Sequence, residues 1–199
     1  MPGTCEKLQA LYPDRFVFHS PEFLAEKTAA YDVANPTRNI VGYPIDNDDF
    51  RARAQQIIDI LPGAPVNIVC TSREAEFIKY GSNSFLTLKV IYANILYDLA
   101  ENAGSNWDVI KEGIGSDPRI GRSHLDVIHA SWILEHKGRG AGGHCFIKDF
   151  AGLVEYIKTV GIDPLGAAFL SAAEEKNIDL LVKSQKDIDL LTGVYGAER

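Results

Sequence analysis

The sequence predicts an α/β segment followed by a mainly helical part, and three observations carry that prediction. Short apolar runs alternate with an amphipathic stretch over the first third of the chain. From Ser72 to about Ala103 there is no proline, and the apolar residues take helical spacing. Beyond residue 140 two further helical stretches close the chain, followed by polar residues. The boundaries expected on this basis are 1–71 for the α/β segment, 72–183 for the helical domain and 184–199 for a polar tail.

The first third reads in order. "RFVFHS" (15–20), "NIVGY" (39–43) and "VNIVC" (66–70) are apolar and β-branched or aromatic, the mark of short buried strands. Between the last two, "NDDFRARAQQIIDILPG" (47–63) is an amphipathic helix, with Asn47 or Asp48 as cap, acids in the first turn and Pro-Gly as its stop. Strand, helix, strand implies part of a parallel sheet. In the long helix, residues 78, 85, 88, 92, 95 and 99 form one apolar stripe and 77, 91 and 96 a second. A helix apolar on nearly all sides needs cover on all sides, which predicts a partner subunit across it. A shorter helix follows at 106–115. The stretch 116–144, rich in glycine and histidine, is a long irregular segment, a length that is uncommon unless functional or disordered. The closing helices are "IKDFAGLVEYIKTVG" and "DPLGAAFLSAAEEKNIDLLVK".

The composition excludes several classes. With 46% apolar and 24% charged residues the 199-residue chain is an ordinary globular sequence. Its formal charge of −7 argues against general nucleic-acid binding, which draws on Lys and Arg to neutralise phosphates. No run has the apolar length of a membrane span, and the N-terminus lacks the basic-then-apolar pattern of a signal peptide. Cys5, Cys70 and Cys145 are too scattered for a disulfide framework, which suits a reducing cytoplasm.

Candidate chemistry falls on three pairs of residues four apart: Glu22 and Glu26, Lys79 and Asn83, Cys145 and Asp149. On a helix such pairs share a face, although any solvated helix face produces the same spacing. The residue types are more telling. A cysteine at a helix start gains thiolate character from the dipole and from a cation such as Lys148 or Lys79. A carboxylate one turn on can act as base, and a lysine with an asparagine can stabilise an oxyanion. The set suits covalent chemistry at a carbonyl carbon. Cys5 and Cys70 read as structural.

Just before Cys145, Gly138, Gly140 and Gly143 fit G-x-G-x-x-G. The pattern marks a dinucleotide loop only between a strand and a helix, and "ILEHKGR" is no strand. The glycines instead predict positive φ angles and a close backbone approach to a ligand. His124, His129, His136 and His144 have irregular spacing and no accompanying C-x-x-C, so no metal site is expected.

Taken together, "GGHCFIKD", "GSDPRIGRSHLDV", "EFIKYGSNSFLTLKV" and "HSPEFLAEKTAAYD...NPTRNIVG" resemble the UDP-glucose/GDP-mannose dehydrogenases over Pro2 to about residue 183. The resemblance implies the second half of a Rossmann-like parallel sheet domain, then a helical dimerisation domain on a long central helix. It implies an NAD-dependent oxidoreductase acting on CH–OH, which oxidises a sugar C6 alcohol twice, to the carboxylate. Cys145 would be the nucleophile, passing through a thiohemiacetal and a thioester. Asp149 and Lys79 would handle proton transfer and oxyanion charge with Asn83, and Glu26 would assist thioester hydrolysis. Glu22, Phe23, Leu24, Ala25 and Gly142 would line the sugar site, and Arg119 would reach a neighbouring subunit's site. Lys148 and Glu26 would lie near NAD, and the 72–103 helix would form a homodimer. UDP-glucose is the first expected substrate, ahead of GDP-mannose and UDP-N-acetyl sugars.

The chain also departs from the family pattern. It has no true glycine fingerprint and opens at "PGT", past the family's active-site threonine. It ends before the nucleotide-binding C-terminal domain, which leaves it expected to be inactive by itself. Residues 128–139 look longer than the family's loop, and Ile147 stands where proline is usual. A non-catalytic dimerisation or sugar-nucleotide-binding module is the second reading, and a cysteine hydrolase using a loop histidine the third.

Overall fold

The computed structural model describes residues 1–25, 28–131 and 136–196. Contacts divide the chain into two compact units, residues 1–82 and 83–199.

In the first unit, β1 (Arg38–Tyr43) and β2 (Val66–Thr71) pair in parallel, Arg38 opposite Val66 through Tyr43 opposite Thr71. They are joined by α3 (Asp48–Ile60), after α1 (Thr4–Leu11) and the short α2 (Ala29–Ala34). Asn47 caps α3, its Oδ1 accepting from Phe50 N–H at 2.9 Å, and the helix ends just before Leu61-Pro62-Gly63. The apolar face of α3 (Phe50, Ala54, Ile58) packs on Val41 and Tyr43 of β1, with Phe18 and Val69 at the margin. Strand, helix, strand thus stands as the sequence predicts. Gly42 is required where β1 passes the start of the next helix: a Cβ there would lie 2.6 Å from Ser72 Cα and 2.8 Å from Ala75 Cβ.

The run "RFVFHS" differs from expectation. It forms no strand; only His19 pairs with Gly42, in an isolated antiparallel bridge. The side chain of Gln9 takes the place of a ladder, donating to Arg15 O at 2.7 Å and accepting from Val17 N–H at 2.9 Å. The aromatics that suggested a strand turn to α3, with Phe16 and Phe18 rings 5.1 and 5.7 Å from Phe50.

The long helix α4 (Ser72–Asn102) runs as predicted. Over its residues in the second unit, one side buries Val90, Ile91, Ala93 and Asn94, while Phe85, Tyr92 and Leu99 are 70, 61 and 60% exposed. After α4 come α5 (Trp107–Gly115), a small antiparallel hairpin of β3 (His129–Ala130) and β4 (Lys137–Gly138), α6 (Gly143–Val160), α7 (Pro164–Lys183) and α8 (Ile188–Tyr195), of which α5, α6 and α7 pack on the buried side of α4. Asn106 and Asp163 cap α5 and α7, and Gly161 ends α6 in the left-handed conformation. Ile91, Phe150, Val154 and Ala173 form one core cluster; Ile147, Leu181 and Leu191 form another.

The segment after residue 183 is no loose extension as far as Gly196. Leu191 of α8 is buried against α6 and α7, and Tyr195 Oη donates to Glu174 at 2.8 Å. Lys186 and Asp187, the polar residues that suggested a tail, are themselves buried. No helix among the described residues is long and apolar enough to cross a membrane.

Candidate active site

Each unit gathers part of the predicted set. In the second unit Cys145 lies half-buried in the first turn of α6, three residues after the N-cap Gly142, and Asp149 lies one turn further on the same helix. Asp149 is 4% exposed. Its Oδ2 accepts from Asn83 Nδ2 at 2.5 Å and its Oδ1 from Lys148 Nζ at 2.5 Å. Asn83, from α4, is itself buried. Burying an ionised carboxylate is costly without such partners, so two donors at one carboxylate make a defined anionic position one turn from the thiol.

In the first unit Lys79, a turn before Asn83 on α4, donates from Nζ to the Glu22 carbonyl at 2.5 Å and to Glu22 Oε1 at 2.8 Å. Its ammonium lies 5.6 Å from the Phe23 ring, whose face also carries the Arg38 guanidinium at 3.7 Å. Glu22, Phe23, Leu24 and Ala25 line a cleft of about 300 Å³ with Asp32, Arg38 and Pro62. Glu26 lies outside the described residues. Arg119 is exposed in the second unit and ion-paired to Asp117 at 2.7 Å, which holds the Asp117 carboxyl below its usual range. None of the three cysteines is in a disulfide. Among the described residues no cluster of His, Cys, Asp and Glu is placed to hold a metal ion.

The glycine loop resolves differently from a phosphate cradle. Gly140 and Gly143 have positive φ, 90° and 80°, as the glycine pattern predicts. Yet the loop's amides are engaged by its own chain. Arg139 N–H donates to Ser184 Oγ at 2.9 Å, Ala141 N–H to Asn177 Oδ1 at 2.7 Å and Gly143 N–H to Asp187 Oδ2 at 2.8 Å. Asn177 also returns a bond to Ala141 O at 2.9 Å. The close approach demanded by glycine is to residues 184–187: a Cβ on Gly138 would meet Ser184 Oγ at 2.6 Å, and one on Gly142 would meet Asp187 Oδ2 at 1.9 Å. The expected ligand contact is therefore replaced by an internal one.

Sequence reasoning missed these partners. Asn177 carried a signal, because with Glu174 it is a polar residue on the buried α7 face formed by Ala173, Leu180 and Leu181. Lys186 and Asp187 carried none; they read as solvated charge.

Residues 73–179 match the model for the UDP-glucose/GDP-mannose dehydrogenase family, central domain. A UDP-glucose 6-dehydrogenase from Rickettsia typhi is 35% identical over 167 residues, 81% of this chain and 36% of that one. UDP-glucose 6-dehydrogenase TuaD from Bacillus subtilis is 32% identical over 171 residues, 84% of this chain and 33% of that one. The chain thus spans about a third of the length of these curated relatives. Among solved structures, a UDP-glucose dehydrogenase from Pyrobaculum islandicum superposes with a TM-score of 0.71 at 31% identity, over 89% of this chain and 39% of that one. A UDP-D-ManNAc dehydrogenase from Pyrococcus horikoshii shares the fold, with a TM-score of 0.71 at 22% identity over 92% of this chain and 40% of that one. By the match across its central helices, the chain belongs to the UDP-glucose/GDP-mannose dehydrogenase family.

Proposed function

We propose that this chain carries the cysteine site of a nucleotide-sugar dehydrogenase, which oxidises a sugar C6 alcohol to the carboxylate in two steps. UDP-glucose is the substrate favoured by the relatives, which are named UDP-glucose 6-dehydrogenases and are 35 and 32% identical to this chain. The observation that carries the reading is the buried Asn83–Asp149 bond one helical turn from Cys145. It provides a fixed polar group where chemistry at the thiol needs one.

NAD is the family's hydride acceptor. The one G-x-G-x-x-G pattern among the described residues does not fit it, because three of that loop's amides are engaged internally. Lys148 is the described residue assigned to lie near NAD; its Nζ holds Asp149 and is half-exposed. The chain's own contribution is at the sulfur. Cys145 Sγ adds to the C6 aldehyde carbon, forming an S–C bond while the carbonyl oxygen gains a proton, to give a thiohemiacetal. At the thioester stage, water adds to the same carbon and the S–C bond breaks, returning the thiol and releasing the carboxylate. Asp149 and Lys79, with Asn83, are assigned the proton and oxyanion charge, and Glu26 the hydrolytic water. Glu22, Phe23, Leu24, Ala25 and Gly142 are assigned to the sugar, and Arg119 to a second subunit's site. The exposed face of Phe85, Tyr92 and Leu99 supports a homodimer through α4.

The test is the alkylation rate of Cys145 by iodoacetamide, read by peptide mass spectrometry with and without the C6 aldehyde of UDP-glucose. The reading expects a rate on the order of tenfold above a model thiol at neutral pH, and protection by the aldehyde. A model-thiol rate with no protection would leave a non-catalytic module.

A further inference from the structure

The first turn of α6 carries Cys145, and that turn has no cap of its own. Gly142 stands at the N-cap position, where a side-chain oxygen would ordinarily accept from the first amides. Asp187 fills this role from the far end of the chain. Its Oδ2 accepts from Gly143 N–H at 2.8 Å and from Ser131 Oγ–H at 2.5 Å. Beside it, Lys186 Nζ donates to Gly140 O at 2.9 Å and to His129 Nε2 at 2.8 Å. Lys186 is 0% and Asp187 2% exposed. Two buried charges on adjacent residues cost desolvation, and the backbone carries strain as well. Gln185 and Asp187 hold φ of 54° and 53°, a region few non-glycine residues adopt. Strain and buried charge persist where the surroundings fix them, and here all four bonds converge on residues 129–143.

We propose that Lys186 and Asp187 are positioning residues for Cys145, a clasp from the C-terminal segment that holds the glycine turn and sets the charge around the thiol's helical turn. This rests on reading Cys145 as the nucleophile. An Asp187 anion at the start of α6 uses the same helix dipole that would favour a Cys145 thiolate, and the Lys186 cation offsets that anion. The two residues therefore act on the thiolate in opposite senses. A purely structural clasp would instead loosen the turn in the same sense whichever residue was lost. Against the pair lies His129, which Asp126 and His124 also face; burial and the Lys186 cation hold His129 down to about 4, neutral through the range of the test. Burial lowers Lys186 itself to about 8, so its cation acts on the thiol over the lower part of that range and is lost toward the alkaline end.

The experiment uses the whole 199-residue chain. Cys145 alkylation is followed by peptide mass spectrometry from about pH 6 to about pH 9.5, a span that brackets ordinary and activated thiols. Asp187→Asn keeps an oxygen to accept from Gly143 N–H while removing the charge, and Lys186→Met keeps the stem. Asp187→Asn is expected to move the midpoint of the rate profile down, and Lys186→Met to move it up, each by on the order of half a pH unit. Amide exchange gives a second readout: Asp187→Ala should speed Gly143 by at least roughly tenfold while α7 amides stay protected. Profiles that do not move, or that move the same way in both variants, overturn the proposal, as does an unchanged Gly143 amide in Asp187→Ala. A wild-type midpoint no lower than that of a model thiol overturns the nucleophile reading itself and takes the positioning role with it.

Discussion

Asn83 donates its side-chain amide to the Asp149 carboxylate at 2.5 Å, and both residues are at least nine-tenths buried. The bond ties α4 to the helix that carries Cys145, and it does so with a neutral donor. A neutral amide satisfies the carboxylate without placing a second buried charge beside it.

Replacing Asn83 by Ala should therefore destabilise the second unit by about 1.5–3 kcal/mol, the range for losing a hydrogen bond to a buried charged group. Urea unfolding of wild type and variant, compared at equal slope, measures it. A change below roughly 0.5 kcal/mol, within the range of ordinary surface substitutions, would mean that Lys148 or water satisfies Asp149 without Asn83.

Gly42 makes a separate demand in the first unit. A Cβ at this position would lie 2.6 Å from Ser72 Cα, a backbone atom that cannot swing aside. Gly42→Ala should separate β1 from the start of α4 and cost on the order of 1–3 kcal/mol. Thermal unfolding checks this, with Gly63→Ala as control, since no atom lies within 4 Å of a Cβ there.

These two positions mark what the sequence makes legible and what it hides. The parallel pair, α3 and α4 were readable because apolar spacing survives as long as one face is buried. So was the Cys145–Asp149 pairing on one face, which follows from spacing on α6. What escaped were the polar side chains that close on backbone groups outside the predicted site. Gln9 satisfies residues 15 and 17 and so removes a strand, and Asp187 caps a helix 44 residues earlier in the chain. A buried charge and a solvated one look alike in sequence, so Lys186 and Asp187 read as a tail.

The His129 imidazole gives a pH prediction. Burial and the Lys186 cation lower its pKa from 6.5 to about 4, while its Nδ1–H donates to Asp126 O at 3.0 Å and its Nε2 accepts from Lys186. Folded His129 thus stays neutral where an unfolded one would take a proton. Its contribution to stability is full above pH 6.5 and is lost progressively as pH falls toward about 4. Urea midpoints measured across that window should fall with pH more steeply in wild type than in His129→Gln. The glutamine can still accept from Lys186 but does not titrate. Parallel curves would assign the acid sensitivity to other groups.

The exposed side of α4 yields the last prediction. Phe85, Tyr92 and Leu99 recur every seven residues on one helix face, and each is at least 60% exposed. The neighbouring Leu88, Tyr92 and Leu96 line an apolar cleft of about 320 Å³ with Trp107 and Ile120. Apolar side chains in that register match a helix–helix seam, in which a second helix fills the grooves between successive turns. Sedimentation equilibrium of the wild-type chain should report a dimer. Phe85→Glu with Leu99→Glu should shift it to monomer, because burying two uncompensated carboxylates costs more than the apolar seam returns. Because both positions are solvent-exposed within the chain, helix content by circular dichroism should hold in the monomeric variant. A wild-type chain that sediments as a monomer at high micromolar concentration would leave α4 covered by something other than a second copy.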